Sequence, residues 1–304
     1  MAKRRKATST KAFGTGKREG HDASDFYARF KAPGITSDDK VQPCALVDEL
    51  VCGDARDMSA VNDNSVALIV TSPPYFAGKQ YEQALGEGHI PATYLDYLQM
   101  LRDVFAECVR VLEPGGRMAV NVANLGRKPY RSLSADVIGI LQDDLGMLLR
   151  GEIIWVKAEG ASGNCAWGSF ASAANPVLRD TSERIIVASK GRFDRAPKRP
   201  QRDKQGLPHV NSISKEQFME ATLDVWKIRP ERAKKVGHPA PFPVELPRRC
   251  IELYTYIGDT VLDPFMGSGS TALAAVGAGR HYVGWDTDPD YIALARRRLG
   301  ARLL

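Results

Sequence analysis

A short turn with two prolines, Thr71-Ser72-Pro73-Pro74-Tyr75, follows the apolar run Val66–Val70. The prolines fix φ and remove two backbone donors, so the turn offers mainly acceptors, the Ser72 hydroxyl and carbonyls such as that of Pro73. Such acceptors suit an exocyclic amine on a nucleobase, because bonds from its hydrogens draw the nitrogen towards tetrahedral geometry and free its lone pair. The Tyr75 ring adds a face for stacking on a base. Taken alone, the residues fit an ordinary proline turn better.

A second segment, Val261–Thr271, has the pattern of a strand, a glycine turn and the start of a helix. Gly267 and Gly269 let the backbone approach a ligand closely, and the N terminus of a helix favours negative groups. After the next predicted strand, Asp286 places a carboxylate where ribose hydroxyls can be bound. The loop lacks Gly-Lys-Ser/Thr, which excludes a nucleotide-triphosphate P-loop.

Two ligands and one purely structural role are compatible with this loop. Gly267-x-Gly269-x-x-Ala272 fits the relaxed dinucleotide fingerprint, and a tight strand-to-helix turn capped by Ser270 is the structural alternative, expected in about one case in four. Asp263 separates the two ligands, because a carboxylate beside the loop repels a pyrophosphate but accepts from an ammonium group. S-adenosylmethionine carries such an ammonium and no phosphate. The loop therefore favours that cofactor over NAD.

Basic charge is concentrated in two segments of the chain. The protein has 304 residues and a formal net charge of +6, with net +6 in residues 1–20 and net +7 in residues 190–236, so the remainder carries −7. This separation suits a polyanionic partner. A solvated tail and a solvated loop would have the same composition.

The overall composition excludes several classes of protein. Hydrophobic residues make up 43% and charged residues 26%, as in globular proteins with a sizeable core. No apolar run approaches the ~18 residues of a membrane span, and no apolar stretch follows the basic N terminus. We therefore expect a cytoplasmic protein without a secretory signal. The five cysteines are widely spaced and include no C-x-x-C, which argues against a disulfide framework and a zinc site.

Strands alternate with helices along most of the chain, which predicts a mostly parallel sheet covered on both faces. The clearest helix is Tyr94–Leu112, whose apolar residues recur at helical spacing. Residues 190–236, rich in Pro, Lys and Arg, interrupt the alternation and are interpreted as an insertion. The predicted strands are 45–51, 66–70, 118–122, 152–156, 184–188, 260–262 and 282–284, and the other main helices are 134 to about 145, 247–254, 270–276 and 289–299.

The two motifs and their order resemble the β group of DNA amino-methyltransferases. In that family a Ser-Pro-Pro-Tyr motif comes first, a target-recognition segment follows, and the cofactor loop lies near the C terminus. The same order holds here for Thr71–Tyr75, residues 190–236 and Asp263–Thr271. His238–Pro243 is similar to the cofactor-side motif of the family, and Gly53-Asp54 is similar to its acidic motif before the catalytic strand.

The resemblance covers about residues 45–299 and implies a doubly wound, Rossmann-like α/β methyltransferase sheet of seven strands, one of them antiparallel. It implies S-adenosyl-L-methionine as cofactor and double-stranded DNA as partner. It further implies that Asp54 lies near the adenosine, Asp286 takes the ribose and the glycine loop lines the methionine end. The implied catalytic residues are Ser72, Pro73, Pro74 and Tyr75, and the implied cofactor residues are Asp54, His238, Phe242, Asp263, Phe265, Gly267, Ser268, Gly269, Thr271 and Asp286.

The first residue of the catalytic motif bears on the target base. In the family, Asp at this position usually accompanies adenine and Ser usually accompanies cytosine N4, so Ser72 favours N4-cytosine, with N6-adenine as the alternative. A C5-cytosine mechanism needs a nucleophilic Pro-Cys loop, and Pro43-Cys44 precedes the first strand without catalytic context. Protein glutamine methyltransferases have the opposite motif order. A dehydrogenase leaves the proline turn unexplained, and a non-catalytic nucleic-acid-binding module needs no cofactor loop.

These observations divide the chain into four predicted parts. Residues 1–40 form a flexible basic arm, 41–189 the catalytic half, 190–236 a target-recognition insertion and 237–304 the cofactor-binding half of the methyltransferase domain. The arm and the insertion are expected to supply phosphate contacts and base readout. A cognate restriction endonuclease and a homodimer are further partners that the sequence leaves open.

Overall fold

A single eight-stranded sheet forms the centre of the protein in a computed structural model that describes residues 34–76, 93–124, 130–157, 168–231 and 242–301. The order of the strands across the sheet is β1-β8-β7-β2-β3-β5-β4-β6. The strands are β1 (Glu49–Cys52), β2 (Val66–Thr71), β3 (Leu112–Val122), β4 (Leu148–Val156), β5 (Ser182–Ser189), β6 (Val225–Lys227), β7 (Thr260–Asp263) and β8 (His281–Asp286).

Helices cover both faces of this sheet, as the alternation of elements predicts. All six residues of β2 are buried. Ile69 packs in one core with the first long helix, whereas Leu68 and Val70 pack in a second core on the opposite face. The helices are α1 (Tyr94–Val111), α2 (Leu133–Gly139), α3 (Arg199–Lys204), α4 (Lys215–Ala221), α5 (Glu245–Tyr254), α6 (Ser270–Gly277) and α7 (Pro289–Gly300). Within the described ranges, no helix is long and apolar enough to cross a membrane.

The direction of the strands confirms the predicted topology, and their number corrects it. β5 runs antiparallel to both β3 and β4, whereas all other neighbouring strands are parallel. The predicted count of seven strands was wrong by one, because β6 joins the edge of the sheet beside β4. This strand has only three residues, of which Trp226 is buried and both neighbours are exposed, so the sequence carries too short a pattern to predict it.

Several element boundaries also differ from the prediction, and two of the differences change the type of local structure. The predicted helix beginning near Ser134 is α-helical only to Gly139 and continues as a π-helical turn over Ile140–Asp144. The Pro114-Gly115-Gly116 segment ends α1 but lies within β3 instead of in a loop. Gly115 has φ +78°, and a Cβ there would lie 1.9 Å from the carbonyl oxygen of Asp194. The close approach of residues 194–195 therefore requires glycine.

Part of the basic segment 190–236 is built into the core. Arg195 and Arg202 both pair with Glu113 and Asp259, with Arg195 2.6 Å from Asp259 and Arg202 3.3 Å from each carboxylate. All four side chains are at most 9% exposed. Burial of these charges is tolerated because each is paired. These two arginines are therefore not available to contact a polyanion.

Candidate active site

The predicted motifs meet at one edge of the sheet. β1, β8, β7 and β2 are consecutive parallel neighbours, so their carboxyl ends lie side by side. In this order they lead into Gly53-Asp54, Asp286, the glycine loop and the Ser72 turn. The carboxyl edge of a parallel sheet is where α/β proteins bind ligands.

One hydrogen bond joins the two central motifs directly. The Thr71 hydroxyl donates to Asp263 Oδ1 at 2.7 Å, across 192 positions of sequence. Thr71 immediately precedes Ser72, and Asp263 ends β7. The two segments therefore lie side by side at this edge of the sheet and are held in fixed register by adjacent strands.

Asp263 is a fully buried carboxylate with a dense set of donors. Thr71 donates to Oδ1, the Thr271 hydroxyl donates to Oδ2 at 2.7 Å, and the Phe265 amide donates to Oδ1 at 3.1 Å. Burial raises the pKa of Asp263 to about 6, while the hydrogen bonds from Thr271 and Thr71 act in the opposite direction. Asp263 thus joins β2, the loop and the first turn of α6.

The glycine loop needs glycine for two separate reasons. Gly267 and Gly269 have φ of +50° and +78°, in the left-handed region. A Cβ on Gly269 would also lie 2.8 Å from the Cβ of Ala295, so glycine allows α7 to pack against the start of α6. The Gly267 amide donates to Asp286 Oδ2 at 2.8 Å. The loop and the carboxylate are therefore held together.

Asp286 and Asp54 lie at the ends of the neighbouring strands β8 and β1. Burial raises the pKa of Asp286, and its Oδ1 accepts from the Asp288 amide at 3.0 Å. The Gly53 amide donates to the Asp286 carbonyl at 2.9 Å. The Asp54 side chain is 45% exposed and pairs with Arg56 at 2.6 Å. The two acids thus present carboxylates of different accessibility along one rim.

The Ser72 turn is fixed by a tyrosine from α1. The Tyr97 hydroxyl donates to the Pro74 carbonyl at 2.6 Å, and its ring stacks on that of Phe76 with centroids 5.3 Å apart. Ser72 is half-buried and its Oγ lies 2.8 Å from the Tyr75 hydroxyl. Tyr75 is 8% exposed. The turn therefore presents the Ser72 hydroxyl from a rigid support.

Three polar side chains beneath this turn were missed by the sequence analysis. Asn121 on β3 and Glu183 on β5 are buried and contact the Tyr75 hydroxyl, at 2.9 Å and 3.0 Å. Lys157, just after β4, pairs with Glu183 at 2.7 Å. The one signal in the sequence was Asn121, a polar residue in the apolar strand Met118–Val122.

The remaining predicted residues have other surroundings. The Ser268 hydroxyl is buried and lies 2.8 Å from a guanidinium nitrogen of Arg298. Phe242 is 9% exposed and belongs to the core on the α5 face. Cys44 donates from its thiol to the Leu46 carbonyl, consistent with a structural role. His238 lies outside the described residues.

The carboxylates at this edge of the sheet fit S-adenosylmethionine. The carboxylates of Asp263 and Asp286 flank a loop in which two left-handed glycines have no side chain to fill the space beside the backbone. Carboxylates in these positions complement an ammonium and ribose hydroxyls and repel a pyrophosphate. The fit therefore agrees with the choice of cofactor made from the loop sequence.

Comparison with known proteins gives the family. A profile of the DNA methylase family, the N6 and N4 methyltransferases, matches residues 66–297. The type II methyltransferase M.MjaI of Methanocaldococcus jannaschii is 29% identical over 287 residues, covering 84% of this chain and 91% of the relative. M.XycI of Xanthomonas campestris pv. cyanopsidis is 30% identical over 267 residues, covering 77% and 81%.

Solved structures agree with this result. A DNA modification methylase from Thermus thermophilus, solved with S-adenosyl-L-methionine, is 30% identical with a TM-score of 0.63 and covers 84% of this chain and 94% of that one. The PvuII DNA methyltransferase, a cytosine-N4-specific enzyme, shares the fold at 20% identity and a TM-score of 0.62, covering 86% and 90%.

The chain belongs to the DNA methylase family of N6 and N4 methyltransferases. It is a DNA methyltransferase that uses S-adenosyl-L-methionine. The family membership decides between this cofactor and the dinucleotide that the glycine fingerprint alone left open.

Proposed function

We propose that the protein methylates the exocyclic N4 amine of cytosine within a short sequence of double-stranded DNA. The observation that carries the proposal is the Thr71–Asp263 hydrogen bond of 2.7 Å, which fixes the Ser72 turn beside the glycine loop. Serine at the first position of the motif supports cytosine as the base, with the exocyclic amine of adenine as the alternative. The relatives are named type II methyltransferases, which supports a role in protecting DNA against a cognate restriction endonuclease.

The proposed cofactor site uses the carboxyl edge of four strands. Asp263, Phe265, Gly267 and Gly269 line the methionine end, and Asp286 binds the ribose hydroxyls. When bound, the cofactor supplies a methyl group activated on a sulfonium sulfur. The carboxylates of Asp263, Asp286 and Asp54 hold the cofactor in place, with Asp54 near the adenosine. Ser268 and Thr271 support the loop from its buried side. His238 and Phe242 complete the proposed set.

The proposed base site is the proline turn. Ser72 Oγ and the Pro73 carbonyl accept the hydrogens of the target amine, which frees the nitrogen lone pair for attack. Pro74 is held by Tyr97, so the acceptors do not shift when the base arrives. The Tyr75 ring stacks on a base turned out of the helix, an interaction worth ~1–3 kcal/mol.

The proposed DNA contacts come from residues 1–20 and from the exposed part of residues 190–236. Lys198, Arg199 and Lys204 are exposed on and beside α3, in contrast to the buried Arg195 and Arg202. Exposed lysines and arginines neutralise phosphates and orient the duplex, while base edges carry the sequence information.

Analysis of the nucleosides tests the proposal. Plasmid DNA treated with the protein and S-adenosylmethionine is digested to nucleosides and analysed by mass spectrometry. The proposal expects N4-methylcytosine. N6-methyladenine would identify adenine as the target and overturn the base assignment, and the absence of both would overturn the proposed function. DNA incubated without cofactor is the control.

A further inference from the structure

A buried carboxylate lies directly beneath the proposed base site. Glu183, the second residue of β5, is 8% exposed. Its Oε2 accepts from the Tyr75 hydroxyl at 3.0 Å and from Asn121 Nδ2 at 2.6 Å, and its Oε1 accepts from Lys157 Nζ at 2.7 Å. Ser72 completes the group through its 2.8 Å contact with the Tyr75 hydroxyl.

The directions of these hydrogen bonds follow from the donors available. A hydroxyl has one proton, and Tyr75 donates it to the Glu183 carboxylate. The Tyr75 oxygen then acts only as an acceptor, both from Asn121 Nδ2 at 2.9 Å and from Ser72. Ser72 is therefore the donor in the Ser72–Tyr75 bond, which leaves the lone pairs of its Oγ to accept from a substrate N–H.

The orientation of Asn121 is fixed by the same carboxylate. Its Nδ2 lies within 3.4 Å of three oxygens, those of Glu183, Tyr75 and Ser72. Rotating the amide by half a turn would place Oδ1 against the Glu183 carboxylate, with repulsion in place of a hydrogen bond. Lys157, 29% exposed on its side chain, compensates the charge from the side nearer solvent. The hydrogen bonds among Ser72, Tyr75, Asn121, Glu183 and Lys157 thus fit one consistent set of proton positions.

We propose that Glu183 is a positioning residue and the terminal proton acceptor of a relay that runs from the target amine through Ser72 and Tyr75. This inference rests on the proposed function and adds to it the fate of the proton. Before the transfer, Glu183 orients both hydroxyls so that Ser72 faces the amine as an acceptor. A chain of hydroxyls that ends on a carboxylate polarises each bond in the same direction.

The proton steps balance in charge. Once methylated, the amine nitrogen carries one positive charge and one excess proton. That proton moves to Ser72 Oγ as the Ser72 proton moves to the Tyr75 oxygen and the Tyr75 proton moves to Glu183 Oε2. The nitrogen keeps the electron pair of its broken N–H bond and becomes neutral, both hydroxyls are regenerated, and Glu183 becomes a neutral acid that releases its proton to water.

Two substitutions and their combination test the relay in single-turnover methylation. Glu183→Gln removes the charge at nearly constant volume, and Tyr75→Phe removes the hydroxyl but keeps the ring. Each is expected to lower the single-turnover rate by about 10²-fold, with the cofactor Kd from calorimetry and the half-saturating DNA concentration within about twofold of the original. Because both break one chain, the double variant is expected to be no slower than the slower single variant.

The solvent isotope effect separates a relay from a purely structural role. The original protein is expected to react more slowly in D₂O, and both variants are expected to lose that difference. Glu152→Gln is the matched control, since Glu152 lies on the adjacent β4, is exposed and is 4.0 Å from Arg184, outside the group. It is expected to keep the original rate and isotope effect.

Three results would overturn the inference: full activity in Glu183→Gln, effects of the two substitutions that multiply, or an unchanged isotope effect in the variants. Loss of cofactor binding in Glu183→Gln would also count against it, and Tyr75→Phe then provides the independent measurement. The original protein reports on the proposed function separately. If it forms no methylated nucleoside, the proposed function fails. If it methylates normally and Glu183→Gln is equally active, the relay inference fails and the proposed function stands.

Discussion

Asp263 shows how one side chain can couple folding to the proposed cofactor site. Its carboxylate accepts from Thr71, Thr271 and the Phe265 amide while being 1% exposed. The hydrogen bonds offset part of the cost of burying the charge, but burial dominates and the pKa rises to about 6. The folded protein therefore binds this proton more tightly than the unfolded chain does.

This shift predicts a pH-dependent contribution to stability. Because the folded pKa of Asp263 lies above the ordinary value of 3.8, the stabilisation is complete below that value and is lost as the pH rises through about 6. Relative to Asp263→Asn, the free energy of unfolding of the original protein is expected to fall by about 2–3 kcal/mol between about pH 4 and pH 7.5. Urea unfolding of both proteins across this range measures it. A difference that stays constant with pH would contradict the assignment.

The conformation of the glycine loop depends on the strand before it, the helix after it and the helix that packs against it. α6 begins at Ser270, and its preceding residue, Gly269, is left-handed and packs against Ala295 of α7. The loop is thus determined from three sides, by β7, by α7 and by the Gly267–Asp286 bond. Its shape depends on the contact between two helices as well as on local backbone preference.

Substitution of Gly269 is expected to damage stability and cofactor binding together. Gly269→Ala adds a left-handed alanine, costing about 1–2 kcal/mol, and a steric clash with α7, costing about 1–3 kcal/mol. Gly146→Ala is the matched control, because Gly146 has φ +64° and open space around its Cβ position. Chemical unfolding and cofactor calorimetry are expected to show the larger loss only for Gly269→Ala. Equal losses for both variants would show that the packing against α7 is unimportant.

Across the whole molecule, the basic charge has two different uses. Arg195 and Arg202 neutralise Glu113 and Asp259 inside the protein, while Arg199 on the same stretch is exposed. Charge counted along the sequence therefore overstates what a polyanion can reach. Only the exposed residues contribute to the electrostatic footprint of DNA binding.

The exposed and the buried arginines predict different effects of neighbouring substitutions, one on DNA binding and the other on stability. Arg199→Ala is expected to reduce the slope of log K against log salt for DNA binding by about 0.9 for each phosphate that the side chain neutralises, with stability unchanged. Arg202→Ala is expected to cost about 3–5 kcal/mol of unfolding free energy, because it leaves two buried carboxylates with Arg195 as their shared cation and so one buried negative charge uncompensated. Fluorescence anisotropy at several salt concentrations and urea unfolding measure the two quantities. An unaltered slope for Arg199→Ala would place α3 outside the DNA interface.

The sequence alone determined the features that depend on neighbouring residues. An apolar run without alternation predicted the buried strand β2, and the strand, glycine turn and helix pattern predicted β7. The prolines and glycines that follow these strands predicted the turns that carry Ser72 and Gly267. The helical spacing of apolar residues predicted α1 to within one residue at its C terminus. These signals are local, because strand burial, helix faces and turn conformations are encoded within a few positions.

The tertiary structure alone decided which distant residues meet. The Thr71–Asp263 bond, the Asn121–Glu183 contact, the edge strand β6 and the buried partners of Arg202 each join segments far apart in the chain. Such pairings depend on strand order and register, and a single polar residue in a strand does not indicate its partner. The sequence therefore predicted the two motifs, whereas the carboxylate beneath them became visible only when the antiparallel strand β5 was placed between β3 and β4.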